Sequence, residues 1–177
     1  MAAHLIIDGY NLLGVGTRGG IGGDPWSETA REELLRRLSG YRQRRSHAIT
    51  VIFDGWRAGG NVEQHERRGG IEVIYSRRGE QADQVIRRLA AEYGNDCAVV
   101  SSDREVGLSA RAAGALVILA QEFGTKLFDI PIGTTVRPFK ELDSEQPGAT
   151  RRGPDKKGNP RKLPKSLRKR RRQIRGF

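Results

Sequence analysis

The sequence predicts a doubly wound α/β domain with a mostly parallel sheet. Two observations lead there. Five short, β-branched apolar runs recur along the first 120 residues, and none alternates apolar with polar. Segments with helical spacing, or long connections, separate them. Continuous apolar strands joined by crossovers belong to a parallel sheet buried on both faces.

The elements follow in order. "HLII" (4–7) reads as the first strand and runs into Asp8-Gly9-Tyr10-Asn11. The Gly-rich stretch "GVGTRGGIGGDP" reads as a loop. Ser27 can cap a helix reaching about Gln43, with Leu34, Leu35, Leu38 and Tyr41 on one face. "AITVIF" (48–53) is a second strand, stopped by Asp54-Gly55, and "NVEQHERRGG" reads as a polar, partly helical connection. "IEVIY" (71–75) is a third strand. Residues 80–93 carry the clearest helical stripe, Val85, Ile86, Leu89, Ala90 and Tyr93, and Gly94 sits where a helix stops. "CAVVS" (97–101) is a fourth strand ending in Ser102-Asp103. A short helix spans 104–113, "ALVIL" (115–119) is a fifth strand, and "AQEFGTKLFD" can form a last helix.

Charge divides the chain. Of 177 residues, 32 are Lys or Arg and 21 are Asp or Glu, for a net charge of +11. From Arg151 onward there are 13 bases against one acid, so the preceding body is nearly neutral and the tail carries the excess. Two regions are therefore expected: a folded domain over 1–142 and a basic, Pro- and Gly-containing tail over 143–177. The tail has too few apolar residues to offset the entropy of ordering, so it should be disordered when free. Such a tail suits an anionic partner. Its large apolar residues form no apolar face, which favours nucleic acid over a membrane surface. The single cysteine, Cys97, lies in an apolar run and reads as core in a reducing compartment. No secretory signal or membrane-length apolar run is visible, so a cytoplasmic location is expected.

The acids give the functional reading. In parallel sheets, ligands bind beyond the carboxyl ends of the strands. Asp8, Asp54 and Asp103 each end a strand, and Glu80 and Asp83 fall at the start of the helix after the third strand. Each alone is an ordinary turn former or helix-end acid. Together they would repel by about 4 kcal/mol per close pair at an effective dielectric near 20. A divalent cation or bound protons must relieve that. Oxygen-only donors select Mg2+ or Mn2+, and His4, His47 and His65 show no zinc-ligand spacing. A carboxylate-held ion beside a basic segment suits phosphodiester hydrolysis. Asn11 is a candidate to orient a water or the scissile phosphate. Ser101, Ser102, Arg77 and Arg78 are candidates for phosphate contacts, as are Arg168, Lys169, Arg170, Arg171 and Arg172 of the tail.

"LIIDGYNLL", "VIFDG", "GEQAD" and "VVSSDREV", in that order and spacing, resemble the NYN domain of the PIN-like nuclease group, and YacP-type bacterial ribonucleases in particular. The resemblance covers about residues 3–130. It implies that the five predicted strands form the central sheet of a PIN-like α/β/α sandwich, with a metal-dependent endoribonuclease activity. It also implies that Asp8, Asp83, Asp103, Glu80 and Asp54 are metal-binding, with Asp8, Asn11, Asp83 and Asp103 catalytic. Messenger or ribosomal RNA is the implied substrate, and the ribosome a candidate partner. This chain has Gly107 where many relatives carry a further acid. The rival reading is a non-catalytic RNA- or ribosome-binding protein on the same fold. "GVGTRG" matches a dinucleotide fingerprint literally, but it neither follows a strand directly nor opens a helix, so no nucleotide cofactor is expected.

Overall fold

The computed structural model describes residues 4–16, 24–45, 47–55 and 61–128. The tail, with Arg168 to Arg172, lies outside the described residues. So does most of the Gly-rich stretch after Gly16.

The chain runs β1 (His4–Asp8), α1 (Gly9–Gly16), α2 (Glu28–Arg45), β2 (Ala48–Phe53), β3 (Gln64–Arg68), β4 (Ile71–Tyr75), α3 (Ala82–Tyr93), β5 (Cys97–Val100), α4 (Arg104–Ala112), β6 (Leu116–Ile118) and α5 (Ala120–Phe128). The six strands lie in the order β3-β4-β2-β1-β5-β6. All pairs are parallel except β3 with β4. The chain grows outward from β1 through β2 to β4, then returns to the other side of β1 with β5. The switch point therefore lies between β1 and β5, where ligand sites of parallel sheets open.

Side chains alternate across the sheet. Ile6, Ile52, Ile74, Val99 and Val117 face one way and pack with Val85, Ile86 and Ala90 of α3 and Val106 and Ala110 of α4. The opposite face carries Leu5, Ile7, Val51 and Phe53, all fully buried, on the side of the mutually packed α1, α2 and α5. Cys97 is buried, as its apolar setting suggested, and burial pushes its thiol up to about 11. Among the described residues no helix is long and apolar enough to cross a membrane.

Two elements differ from the sequence reading. The stretch read as a polar, partly helical connection contains β3, an edge strand antiparallel to β4, which makes the sheet six-stranded rather than five-stranded. Its residues are exposed or half-exposed throughout, so no apolar periodicity announces it. Charged residues such as these keep an edge from pairing with another chain. The usable signal was Gly69-Gly70: Arg68 pairs with Ile71, and both glycines have positive φ (57° and 81°), a two-residue hairpin turn. The second difference is α1. Residues 9–16, with three glycines, form a helix rather than a turn and loop, and Leu12 and Leu13 are fully buried. The start of the supposed dinucleotide fingerprint, Gly14 to Gly16, is thus the end of a helix.

Candidate active site

Three aspartates sit where strands stop, and each carries a helix end. Asp8 closes β1, and its Oδ1 accepts the Asn11 N–H at 3.0 Å inside the first turn of α1. Asp103 caps α4, with Oδ1 accepting the N–H groups of Glu105 (2.8 Å) and Val106 (3.0 Å). Asp54 follows β2, and its Oδ1 accepts the Ala82 N–H at 2.7 Å, across to the start of α3. The ordinary role of these acids is real, and in each case it engages Oδ1.

The same aspartates, with Asp83 from the first turn of α3, line one open cleft of about 330 Å³ at the carboxyl end of the sheet. Asn11, Ala82, Tyr10 and Trp26 complete the lining, and no Lys or Arg is among these residues. Asp8 is pushed up to about 6, chiefly by burial, with the Asp83 and Asp54 charges adding to it against the Asn11 N–H and Ser101 hydroxyl. Asp83 also lies above the usual carboxylate range, through burial and the charges of Asp103 and Asp54, with Arg87 opposing. Burial is the main cause of both shifts, and neighbouring carboxylates add to it.

Around the cleft runs a set of polar struts. The Ser101 hydroxyl donates to Asp8 Oδ2 at 3.3 Å and accepts the Asp103 N–H at 3.1 Å, so it joins two of the acids. The Ser102 N–H donates to Asn11 Oδ1 at 3.0 Å. That bond identifies the Asn11 oxygen and makes its Nδ2 the remaining donor group. The Ser102 hydroxyl donates to Gln121 and accepts the Ala120 N–H at 3.2 Å. Both serines thus brace the strand ends, and neither lines the cleft. Gly9 is needed for space rather than for a turn: a Cβ there would lie 2.3 Å from the Phe53 ring and 2.9 Å from the Ile52 carbonyl.

Glu80, Arg77 and Arg78 fall elsewhere. Helix α3 begins at Ala82, so Glu80 is not in its first turn. It ends a turn closed by its N–H on the Arg77 carbonyl at 3.0 Å. Its carboxylate pairs with Arg77 (3.3 Å) and Arg88 (3.6 Å). Arg77 and Arg78 are exposed outside the cleft lining. Gly107 sits on the buried side of α4 with its Cβ direction toward Val117, so a longer side chain would enter the core. The sequence reading missed the two aromatic liners. Tyr10 and Trp26 have ring centroids 4.6 Å apart, and Tyr10 meets Phe53 edge-on at 5.2 Å. The available signal was a large aromatic, Trp26, directly after the Gly-rich stretch.

The donor set fits a hard divalent ion, since the cleft offers carboxylate and amide oxygens and no sulfur or imidazole. Among the described residues no three His, Cys, Asp or Glu side chains are already gathered as a ligand cage. Mg2+ does not require one, because it keeps several waters and takes one or two carboxylates.

A family model of the YacP-like NYN domain matches residues 5–156. The chain belongs to this family. Among its relatives is the protein YacP of Bacillus subtilis (strain 168), 27 % identical over 146 residues that span 81 % of this chain and 85 % of that protein. A crystal structure of Rae1 (YacP) from Bacillus subtilis superposes with a TM-score of 0.55 at 25 % identity, covering 70 % of this chain and 72 % of that one. A single-substitution variant of Rae1 gives 0.57 at 24 %, covering 72 % and 75 %. The six-stranded α/β arrangement is therefore a nuclease-like fold shared with YacP proteins.

Proposed function

We propose that this chain is a metal-dependent endoribonuclease that hydrolyses RNA phosphodiester bonds in the four-aspartate cleft, with Mg2+ or Mn2+. The observation that carries the reading is four carboxylates, two of them raised, lining a cleft that contains no basic residue. A bound divalent ion supplies Lewis-acid chemistry there, offsetting charge that develops on the phosphoryl oxygens. Asp8 and Asp83 are its first candidate holders, with Asp54 and Asp103 presenting Oδ2 from the same rim. The Ser101 hydroxyl and the Asn11 N–H fix the Asp8 carboxylate from two sides. Asn11, locked by Ser102, turns its Nδ2 donor to a phosphate oxygen without adding charge. Messenger or ribosomal RNA is the proposed substrate, and the basic tail the main non-specific RNA contact.

The test is cleavage of RNA with Mg2+ and with EDTA, by the purified chain and by its Asp8→Asn and Asp83→Asn variants. Metal-dependent cleavage lost in both variants supports the reading. Cleavage surviving both substitutions assigns the activity to a contaminant. Binding without any metal-dependent cleavage makes the chain an RNA- or ribosome-binding protein on a nuclease-like fold. The tail has its own test. If about 6–10 of its bases engage phosphates, affinity falls roughly a thousandfold or more between about 50 and 200 mM salt. Removing residues 144–177 should flatten that slope, and equal slopes would refute the tail's role.

A further inference from the structure

The cleft poses an electrostatic problem for a nucleic acid. Its lining holds four aspartates and no cation, so a polyanion gains no ionic contact from the lining itself. Beyond the proposed metal ion and the tail, the lining itself can hold a substrate only through uncharged contacts. The lining offers Tyr10 and Trp26, side by side, with ring centroids 4.6 Å apart and a tilt of 40°. Trp26 is 42 % exposed, although it is a large aromatic. We infer that Trp26, backed by Tyr10, is a base-stacking platform that holds an unpaired nucleotide of the substrate at the cleft.

The neighbouring residues hold the platform in place. Asp24 accepts the Trp26 N–H at 3.0 Å through its Oδ1, a local turn that sets the residue just before α2. Arg31 of α2 donates to the Trp26 carbonyl at 3.3 Å and to the Tyr10 hydroxyl at 3.4 Å, bridging the two aromatic residues. Phe53 supports the Tyr10 ring edge-on. Tyr10 lies two residues after Asp8 and directly before Asn11, so the platform and the proposed phosphate-orienting amide share the first turn of α1. A base resting on Trp26 would place its own backbone along the acidic rim. Every nucleobase has a π face, so such a contact tolerates sequence but requires that the base leave its stack. A duplex must unpair to offer one, which costs a few kcal/mol.

This inference rests on the nuclease reading for its substrate, and its readout is binding without catalysis. Full-length protein in EDTA, at about 0.2 M salt to weaken phosphate contacts, is titrated with a labelled unstructured RNA strand and with a hairpin duplex of similar length. Trp26→Ala should weaken strand binding by about five- to a hundredfold, the range of one base–aromatic stack, and leave duplex binding unchanged. Trp26→Phe should keep most of the strand affinity. It should also abolish the quenching of tryptophan emission that the strand causes in the parent protein, whose other tryptophan remains as the reference. Equal strand affinity in parent and Trp26→Ala overturns the inference, whether or not the protein cleaves RNA. The nuclease reading is decided separately, by metal-dependent cleavage in the parent protein.

Discussion

Two groups of acids meet opposite surroundings. In one group Glu63, Glu72 and Glu80 mesh with Arg77, Arg88 and His65, at 2.8 Å for His65 with Glu63 and 3.3 Å for Arg77 with Glu80. Burial alone would raise Glu63, yet hydrogen bonds from Arg88 and His65 outweigh it and hold that carboxyl low. In the other group Asp8 and Asp83 are raised, chiefly by burial, and neighbouring carboxylates add to it, with Arg87 opposing at Asp83. The first group is complete without a ligand. The second carries charge in need of a counter-ion, and that separates a candidate active site from a salt-bridge surface more sharply than the count of acids does.

Substitution by the matching amide probes this contrast most strongly in catalysis. Asp83→Asn should lower metal-dependent cleavage by about a hundredfold or more, the scale of losing one preorganised electrostatic contact. Glu80→Gln should leave it within about twofold. Comparable losses for the two, in initial-rate assays at saturating Mg2+, would erase the distinction between the groups.

Stability should move in the opposite direction. The folded Asp8 pKa is raised from 3.8 to about 6, so the folded state binds the extra proton between those values. The stability contributed by that proton is fully present below about pH 4 and is lost as pH rises through about 6. Without metal at pH 7.5, Asp8→Asn should therefore stabilise the fold, by up to roughly 3 kcal/mol at 1.4 kcal/mol per unit. The gain should vanish near pH 4. Denaturant titrations in EDTA at both pH values check this, and a loss of stability at pH 7.5 would contradict the burial of an unbalanced charge.

Smaller effects follow from packing and from the paired surface. Gly9→Ala should cost about 1–3 kcal/mol, as overpacking against Phe53 and the β2 backbone. It should also displace Tyr10, seen as a loss of cleavage beyond the loss of folded protein. Glu63→Gln should change stability by less than about 1 kcal/mol, because its partners Arg88 and His65 are about half exposed.

The sequence made some of this legible and hid the rest for physical reasons. The parallel strands were readable because burial on both faces leaves a continuous apolar run, as in "AITVIF" and "CAVV". Asp8, Asp54 and Asp103 were readable because the runs stop on them. Strand β3 was hidden because an exposed edge strand has no buried face to give it a period. Helix α1 was hidden by its glycines, although Gly9 is selected by the nearness of Phe53 and has no positive φ. Glu80 was misplaced because helical spacing extends past the true start of α3, where Gly79 at φ 88° turns the chain. Tyr10 and Trp26 meet only in three dimensions, 16 positions apart in the chain.

The Oδ1 atoms that hold helix ends have an evolutionary consequence. Asparagine keeps a side-chain oxygen for such a bond and removes the negative charge. An aspartate codon becomes an asparagine codon by one base change. At positions 8, 54 and 103 a descendant could thus shed its chemistry in single steps while keeping its architecture. On the proposed ribonuclease reading, lineages built on this scaffold have a short path from cutting RNA to merely holding it.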